Sequence, residues 1–168
     1  VNTYFTSFKT RQVYSTFDWG IRDKEGYHFI LGRTDDVINV AGHRLSTGGM
    51  EEVLASHPAV AECAVIGIKD DLKGEQPCGF VVLKSGVTKS PLEIEKEIVA
   101  LVREKIGPVA AFKIAIAVNR LPKTRSGKIV RRALQAVAEG RDPGDISTME
   151  DQNVLAQIKT IIDQRSAG

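Results

Sequence analysis

Apolar and polar positions change period several times along the 168 residues, and each change marks a predicted element. Two β-rich runs, residues 13–17 and 27–31, flank residues 22–26, whose Glu-Gly ending signals a hairpin turn. Residues 32–36 interrupt the pattern with turn-formers before 37–40 and 43–45 resume it around Gly42, so a short linker and a tight second hairpin form the expected domain boundary. Thr47 is placed to cap a first helix, with Glu51 and Glu52 near its positive end and Met50, Val53 and Leu54 on one face. His57 and Pro58 end it. The near-continuous apolar run 60–68 predicts a buried strand, and Asp70, Asp71, Lys73 and Gly74 form a loop to a second strand at 79–83.

Ser90, Pro91 and Glu93 spell a capping box with proline at the first helical position, and Ile94, Ile98, Leu101 and Val102 mark one helical face. Phe112, Ile114, Ile116 and Val118 alternate with Lys113, Ala115, Ala117 and Asn119, which predicts a strand with one buried face and one less so. Val130, Ala133, Leu134 and Val137 are spaced for a short helix stopped by Gly140, and Val154, Leu155, Ile158, Ile161 and Ile162 for a last one. The expected architecture is α+β: a small mixed sheet with flanking helices, preceded by a separate β-hairpin. Tyr4, Phe5 and Phe8, in an aperiodic start, are expected to pack on another surface.

Composition adds one asymmetry. The net charge is only +2, yet residues 113–132 hold Lys113, Arg120, Lys123, Arg125, Lys128, Arg131 and Arg132 and no acid. Such a patch faces phosphates or carboxylates. It lacks interleaved aromatics and any reader motif, so nucleic acid is not the expected partner. Within it, Pro122, the polar residues 123–126, Gly127 and Lys128 have the order of a loop that holds one amine toward a ligand and then enters a helix. Cys63 and Cys78 sit in apolar surroundings at no metal-ligand spacing, so neither a zinc site nor a disulfide framework is expected. No apolar run has membrane-spanning length and no signal-peptide plan opens the chain, which points to no membrane and to a cytoplasmic place, or the mitochondrial matrix in a eukaryote.

Two stretches carry a resemblance: Gly32-Arg-Thr-Asp-Asp-Val-Ile-Asn-Val-Ala-Gly-His-Arg-Leu45 and Pro122-Lys-Thr-Arg-Ser-Gly-Lys128. In this order and separation they resemble the hinge and catalytic-lysine motifs of adenylate-forming enzymes, specifically short-chain acyl-CoA synthetases. The residues Tyr14 to Asp23, Gly74 and Ile106 to Ala110 extend the likeness over nearly the whole chain, which is most similar to the C-terminal part of the propionate-CoA ligase branch, with acetyl-CoA synthetases next. The resemblance implies that a carboxylate attacks the α-phosphate of Mg-ATP to give an acyl-adenylate, and that the CoA thiol then displaces AMP. It also implies a large N-terminal adenylation domain as partner, with residues 1–34 as that domain's last hairpin and 35–168 as a mobile lid.

By the same resemblance Lys128 is the catalytic lysine. Asp18, Arg33 and Arg44 contact ATP or AMP, Ala41, Gly42 and Arg103 contact CoA, and Asp35 is the hinge. The chemistry suits these residue types: a compact ammonium offsets repulsion between carboxylate and phosphate, and an ionised carboxylate accepts from ribose hydroxyls. Plainer readings stand beside several of them: a turn cap for Asp18, a structural ion pair for Arg44, a hairpin glycine for Gly42, a fixed connector for Asp35 and a helix C-terminal cation for Arg103. Lys123, Arg125, Arg131 and Arg132 are expected to be mostly a solvated face. His43, His57 and Trp19 are assigned no chemistry. One departure is visible, since the family's usual Thr-Gly-Asp is Thr16-Phe17-Asp18 here. A second functional class, a stand-alone nucleotide- or CoA-binding module, stays open at this point, and this chain alone is expected to be inactive, with Lys128 disordered or solvent-exposed.

Overall fold

The computed structural model describes residues 13–166; Tyr4, Phe5 and Phe8 lie outside the described residues. By internal contacts the chain divides into two compact units, Val1–Val37 and Ile38–Gly168.

In the first unit, β1 (Asp18–Arg22) and β2 (His28–Arg33) pair antiparallel, from Asp18 opposite Arg33 to Arg22 opposite His28. The hairpin is present but its first strand lies at 18–22, where 13–17 was expected. The turn decides this. The Asp23 carboxylate accepts from the amides of Glu25 and Tyr27, both at 2.9 Å, so the paired segments must adjoin that tight turn. Phe17 moreover takes φ 59°, which ends any extended run there. Neighbouring residues of β2 point to opposite faces, and both Phe29 (50%) and Ile30 (70%) are exposed.

The second unit is built on a five-stranded sheet in the order β4-β3-β6-β5, with β7 also paired to β6; the strands are β3 (Val37–Val40), β4 (His43–Ser46), β5 (Val60–Asp70), β6 (Gly74–Leu83) and β7 (Ile114–Ala117). The β5–β6 ladder is antiparallel and β6–β7 parallel, which makes the sheet mixed as expected. β6 starts at Gly74, five residues before the expected Gly79, because the ladder from β5 carries Glu75, Gln76 and Pro77 into the sheet. Pro77 is tolerated where the other side of β6 changes partner, from β3 at Gly74 to β7 at Cys78.

Among the described residues four α-helices cover the sheet: α1 (Thr47–Ala55), α2 (Pro91–Lys105), α3 (Arg131–Ala138) and α4 (Asn153–Ser166). Alternation along the strands sorts the core in two. Ala64, Ile66, Cys78, Phe80 and Ile116 pack with α3 and α4, whereas Val65, Val81 and Ala115 pack with α1 and α2. β7 is therefore buried on both faces, which corrects the one-sided expectation; its alanines only looked like a weaker face because a second helical layer needs small residues there. The α2 capping box is present, with Ser90 and Glu93 each bonded to the other's backbone amide. For α1 the cap is Ser46, whose hydroxyl accepts from Gly49, while Thr47 is the buried first helical residue.

Both outer strands of the central β5-β6-β7 group are closed by side chains in the same way. On β5, the Glu51 carboxylate of α1 accepts the Val65 amide at 2.8 Å and is gripped by the Arg131 guanidinium of α3 at 2.8 and 2.9 Å. On β7, Glu95 of α2, only 6% exposed, accepts the Ala117 amide at 2.7 Å and is gripped by Arg165 of α4, with one contact at 2.8 Å. Each grip ties a helix on one face to a helix on the other around a strand edge, with bidentate geometry that adds direction to charge.

Candidate active site

Lys128 lies on a loop folded as a miniature hairpin. Thr124 is its hub: its amide donates to the Lys128 carbonyl at 2.8 Å, its carbonyl accepts from Gly127 at 2.8 Å, and its hydroxyl accepts from the Lys128 amide at 3.1 Å. Gly127 takes φ 82°, a conformation that favours glycine. A bridge from Lys123 to Ile129 closes the loop's two arms, and one from Thr124 to Met149 anchors it to the chain beyond α3. Lys128 itself is exposed, and its ammonium makes no hydrogen bond or ion pair among the described residues. Its backbone is thus ordered while its amine is solvent-facing.

The neighbouring cations do something else. Lys123, where the chain enters the loop, pairs with Glu62 of β5 at 2.8 Å, and Arg131, where the chain leaves it, is held by Glu51. Arg120 pairs with Asp151 at 3.4 Å. These contacts correct the expectation that Lys123 and Arg131 are merely a solvated face; both are clamps. Arg125 and Arg132 are exposed.

At the other end of β6 the CoA-assigned residues converge. Ala41 and Gly42 make the two-residue turn between β3 and β4 with φ of 49° and 86°, the conformation of a primed hairpin turn. The Ala41 amide donates to the Lys73 carbonyl at 2.9 Å. Lys73 in turn lines a cavity of about 220 Å³ with Arg103, Gly107, Pro108, Ala111, Phe112 and Lys113. An added side chain at Gly42 would meet no atom within 4 Å, so the positive φ, not crowding, is what calls for glycine. Arg103 sits in the last turn of α2, so it also faces that helix's negative end.

The nucleotide-assigned residues fall in different places. Asp18 and Arg33 stand directly opposite each other across the β1–β2 hairpin. The departure at Phe17 leaves the turn intact, because Phe17 adopts the left-handed φ that a glycine there would take freely, and its carbonyl accepts both the amide and hydroxyl of Thr34. Arg44 is exposed on β4, and Asp35 lies in a single 3-10 turn, Thr34–Asp36, flanked by extended residues. His57 is a satisfied structural residue: its Nδ1 accepts from Ala59 and its Nε2 donates to Glu97. Among the described residues no group of three or more His, Cys, Asp or Glu is placed to hold a metal, and no helix is long and apolar enough to cross a membrane.

The family described as "AMP-binding enzyme C-terminal domain" matches residues 49–128, a segment that ends on the loop lysine. Residues 49–128 belong to that family. The chain is 52% identical to the propionate–CoA ligase of Escherichia coli and 54% identical to that of Salmonella typhimurium, in each case over 98% of this chain and 27% of the relative. It thus spans about a quarter of the length of the curated relatives it matches. Among solved structures, ATP-bound MatB from Rhodopseudomonas palustris superimposes with a TM-score of 0.67 at 26% identity, over 80% of this chain and 26% of that one.

In this AMP-binding enzyme C-terminal domain, the Lys128 loop and the Arg103 cavity lie at opposite ends of one strand. The loop is clamped to Glu62, which pairs with Val82 near the end of β6, whereas Lys73 immediately precedes its start at Gly74. Ten residues of strand separate those ends by about 30 Å. Sequence reading gave Glu51 only as a charge near a helix start and Lys73 only as a loop residue, and it did not single out Glu62; the signal that places all three is tertiary, since each meets partners that are distant in the chain.

Proposed function

We propose that this chain is the C-terminal lid of an ATP-dependent short-chain acyl-CoA synthetase, with a short acid of the propionate class as substrate. The observation that carries the reading is the placement of two cationic features at opposite ends of β6: one exposed amine on an ordered loop, and three cations around an apolar-floored cavity. Adenylation brings an anionic carboxylate against an anionic α-phosphate, and the Lys128 ammonium between them offsets their repulsion as charge shifts. Thioester formation needs a different surface, one that receives CoA; Ala41, Gly42, Lys73, Arg103 and Lys113 supply backbone approach and positive potential. A single rigid lid cannot present both ends to one reaction centre at once. Rotation about the 3-10 turn at Asp35 exchanges them.

In this reading Asp18 and Arg33 hold the nucleotide ribose, Arg44 lies near its phosphates, magnesium accompanies ATP, and the exposed Phe29 and Ile30 of the hairpin pack on a large adenylation domain. The enzyme works in the cytoplasm, or in the mitochondrial matrix of a eukaryote.

The test uses a chimera in which this chain replaces the matching quarter of the Escherichia coli propionate–CoA ligase. Lys128→Ala is expected to lower acyl-adenylate formation by roughly 10²–10³-fold while leaving thioester formation from supplied adenylate within about threefold. Equal loss of both half-reactions, or a chimera that performs neither, overturns the proposal.

A further inference from the structure

The two edge grips are alike in chemistry but unlike in location. Glu51–Arg131 and Glu95–Arg165 each join a carboxylate on one helical layer to a guanidinium on the other, and each carboxylate also takes an edge amide. Only the first abuts the reactive loop, since Arg131 is three residues beyond Lys128 and opens α3. The Val130 amide donates to the Pro122 carbonyl at 2.9 Å, so the two arms of the loop are stitched together just before Arg131. Whatever fixes Arg131 therefore fixes the base of the loop. Glu51 does so through three contacts of 2.8–3.3 Å while its Oε1 is itself pinned by the Val65 amide, and the Cys63 thiol donates to the Glu51 carbonyl at 3.3 Å.

We propose that Glu51 and Arg131 are positioning residues for Lys128: a rigid strut from α1 and β5 that fixes the base of the loop, and with it the reach of the amine. The proposal rests on the catalytic role given to Lys128 above. A carboxylate held by a strand amide and a planar guanidinium has few alternative rotamers, which is the support an oriented reactive group needs. A displacement of about 1 Å at a reacting group is enough to lower a rate by roughly 10²-fold.

Glu95 supplies the internal control, because it forms the same grip away from the loop. Glu51→Gln and Glu95→Gln are compared by hydrogen exchange in this chain and by half-reaction kinetics in the chimera. Both substitutions are expected to lower Tm by several degrees. Only Glu51→Gln is expected to release the slow exchange of the Thr124 and Lys128 amides and to lower the adenylation kcat by roughly 30-fold, with the KM for ATP changed by less than about threefold. Arg131→Lys, which keeps charge but loses the fork, should fall between wild type and Arg131→Gln. Unchanged loop protection in Glu51→Gln, or equal loss of protection and activity in Glu95→Gln, overturns the strut. The exchange data read loop order without reference to catalysis, so a Lys128→Ala chimera that fails to separate the half-reactions defeats the functional reading alone.

Discussion

Two cavities of similar volume, about 210 Å³ beside the Lys128 loop and about 220 Å³ beside Arg103, are lined by opposite charge patterns. The first has Arg120 and Lys123 matched by Glu62, Glu150 and Asp151, and both cations are paired. The second has Lys73, Arg103 and Lys113 with no acid in its wall. Nearby Asp70 is turned inward on its own loop: the amides of Lys73 and Leu72 hold its carboxyl below the usual range, with the Lys73 and Lys113 ammonium groups adding to that pull. Pairing spends positive charge on geometry and leaves the Lys128 amine, unpaired among the described residues, at a fixed place. Leaving cations unmatched keeps their potential available for a multiply charged ligand. The basic run at 113–132 therefore contains two kinds of residue that composition cannot separate.

The sharpest contrast is expected at the thiol beside the clamped side. Burial, then the Glu51 charge, pushes Cys63 up to about 11 from an ordinary 9.0, although Arg131 pulls the other way. At pH 8 its thiolate fraction is thus about 100-fold below that of an ordinary thiol, and alkylation followed by mass spectrometry should be slower by that factor. Rapid labelling of Cys63 in the folded chain would show the clamp to be loose. Next in size is the unmatched side. In the chimera, Arg103→Ala combined with Lys113→Ala is expected to raise the KM for CoA roughly 10–50-fold, an effect that shrinks with added salt, while Lys123→Ala changes it less than about threefold. The comparison breaks if Lys123 matters as much for CoA. The smallest effect concerns the helix that carries Arg103. Bonds from the Ser90 hydroxyl and amide hold Glu93 below the ordinary glutamate value of 4.5. A depressed folded-state value contributes stability above the unfolded pKa and loses it as pH falls through the folded one, so α2 should weaken below about pH 4.5. Glu93→Gln should flatten that acid limb in a circular-dichroism titration.

What could be read from residues alone was whatever local chemistry determines. The α2 capping box sits within four consecutive residues, and the Lys128 loop is closed by Thr124, Gly127 and Lys128 in one short run, so both were legible. Interactions over long separations were not. Glu51 looked like a charge at a helix start, yet its partner is 80 residues away, and Glu62 meets Lys123 across 61. Periodicity likewise missed the start of β6, where polar Glu75 and Gln76 and the imino acid Pro77 are carried by the ladder from β5. The hairpin strand shifted because one aspartate fixes its turn, a constraint that β propensity at 13–17 does not contain.

The grip of Arg165 on Glu95 bears on how this protein can be shortened. Half of one core, from Ala133 through Ile158, and both gripping guanidinium groups come after Lys128. A chain ended just past Lys128 would bare Phe80 and Ile116 and leave the Val65 and Ala117 amides at open strand margins, each a template for another copy to pair with. Such a piece is expected to self-associate, whereas one kept through Arg165 carries its own stoppers.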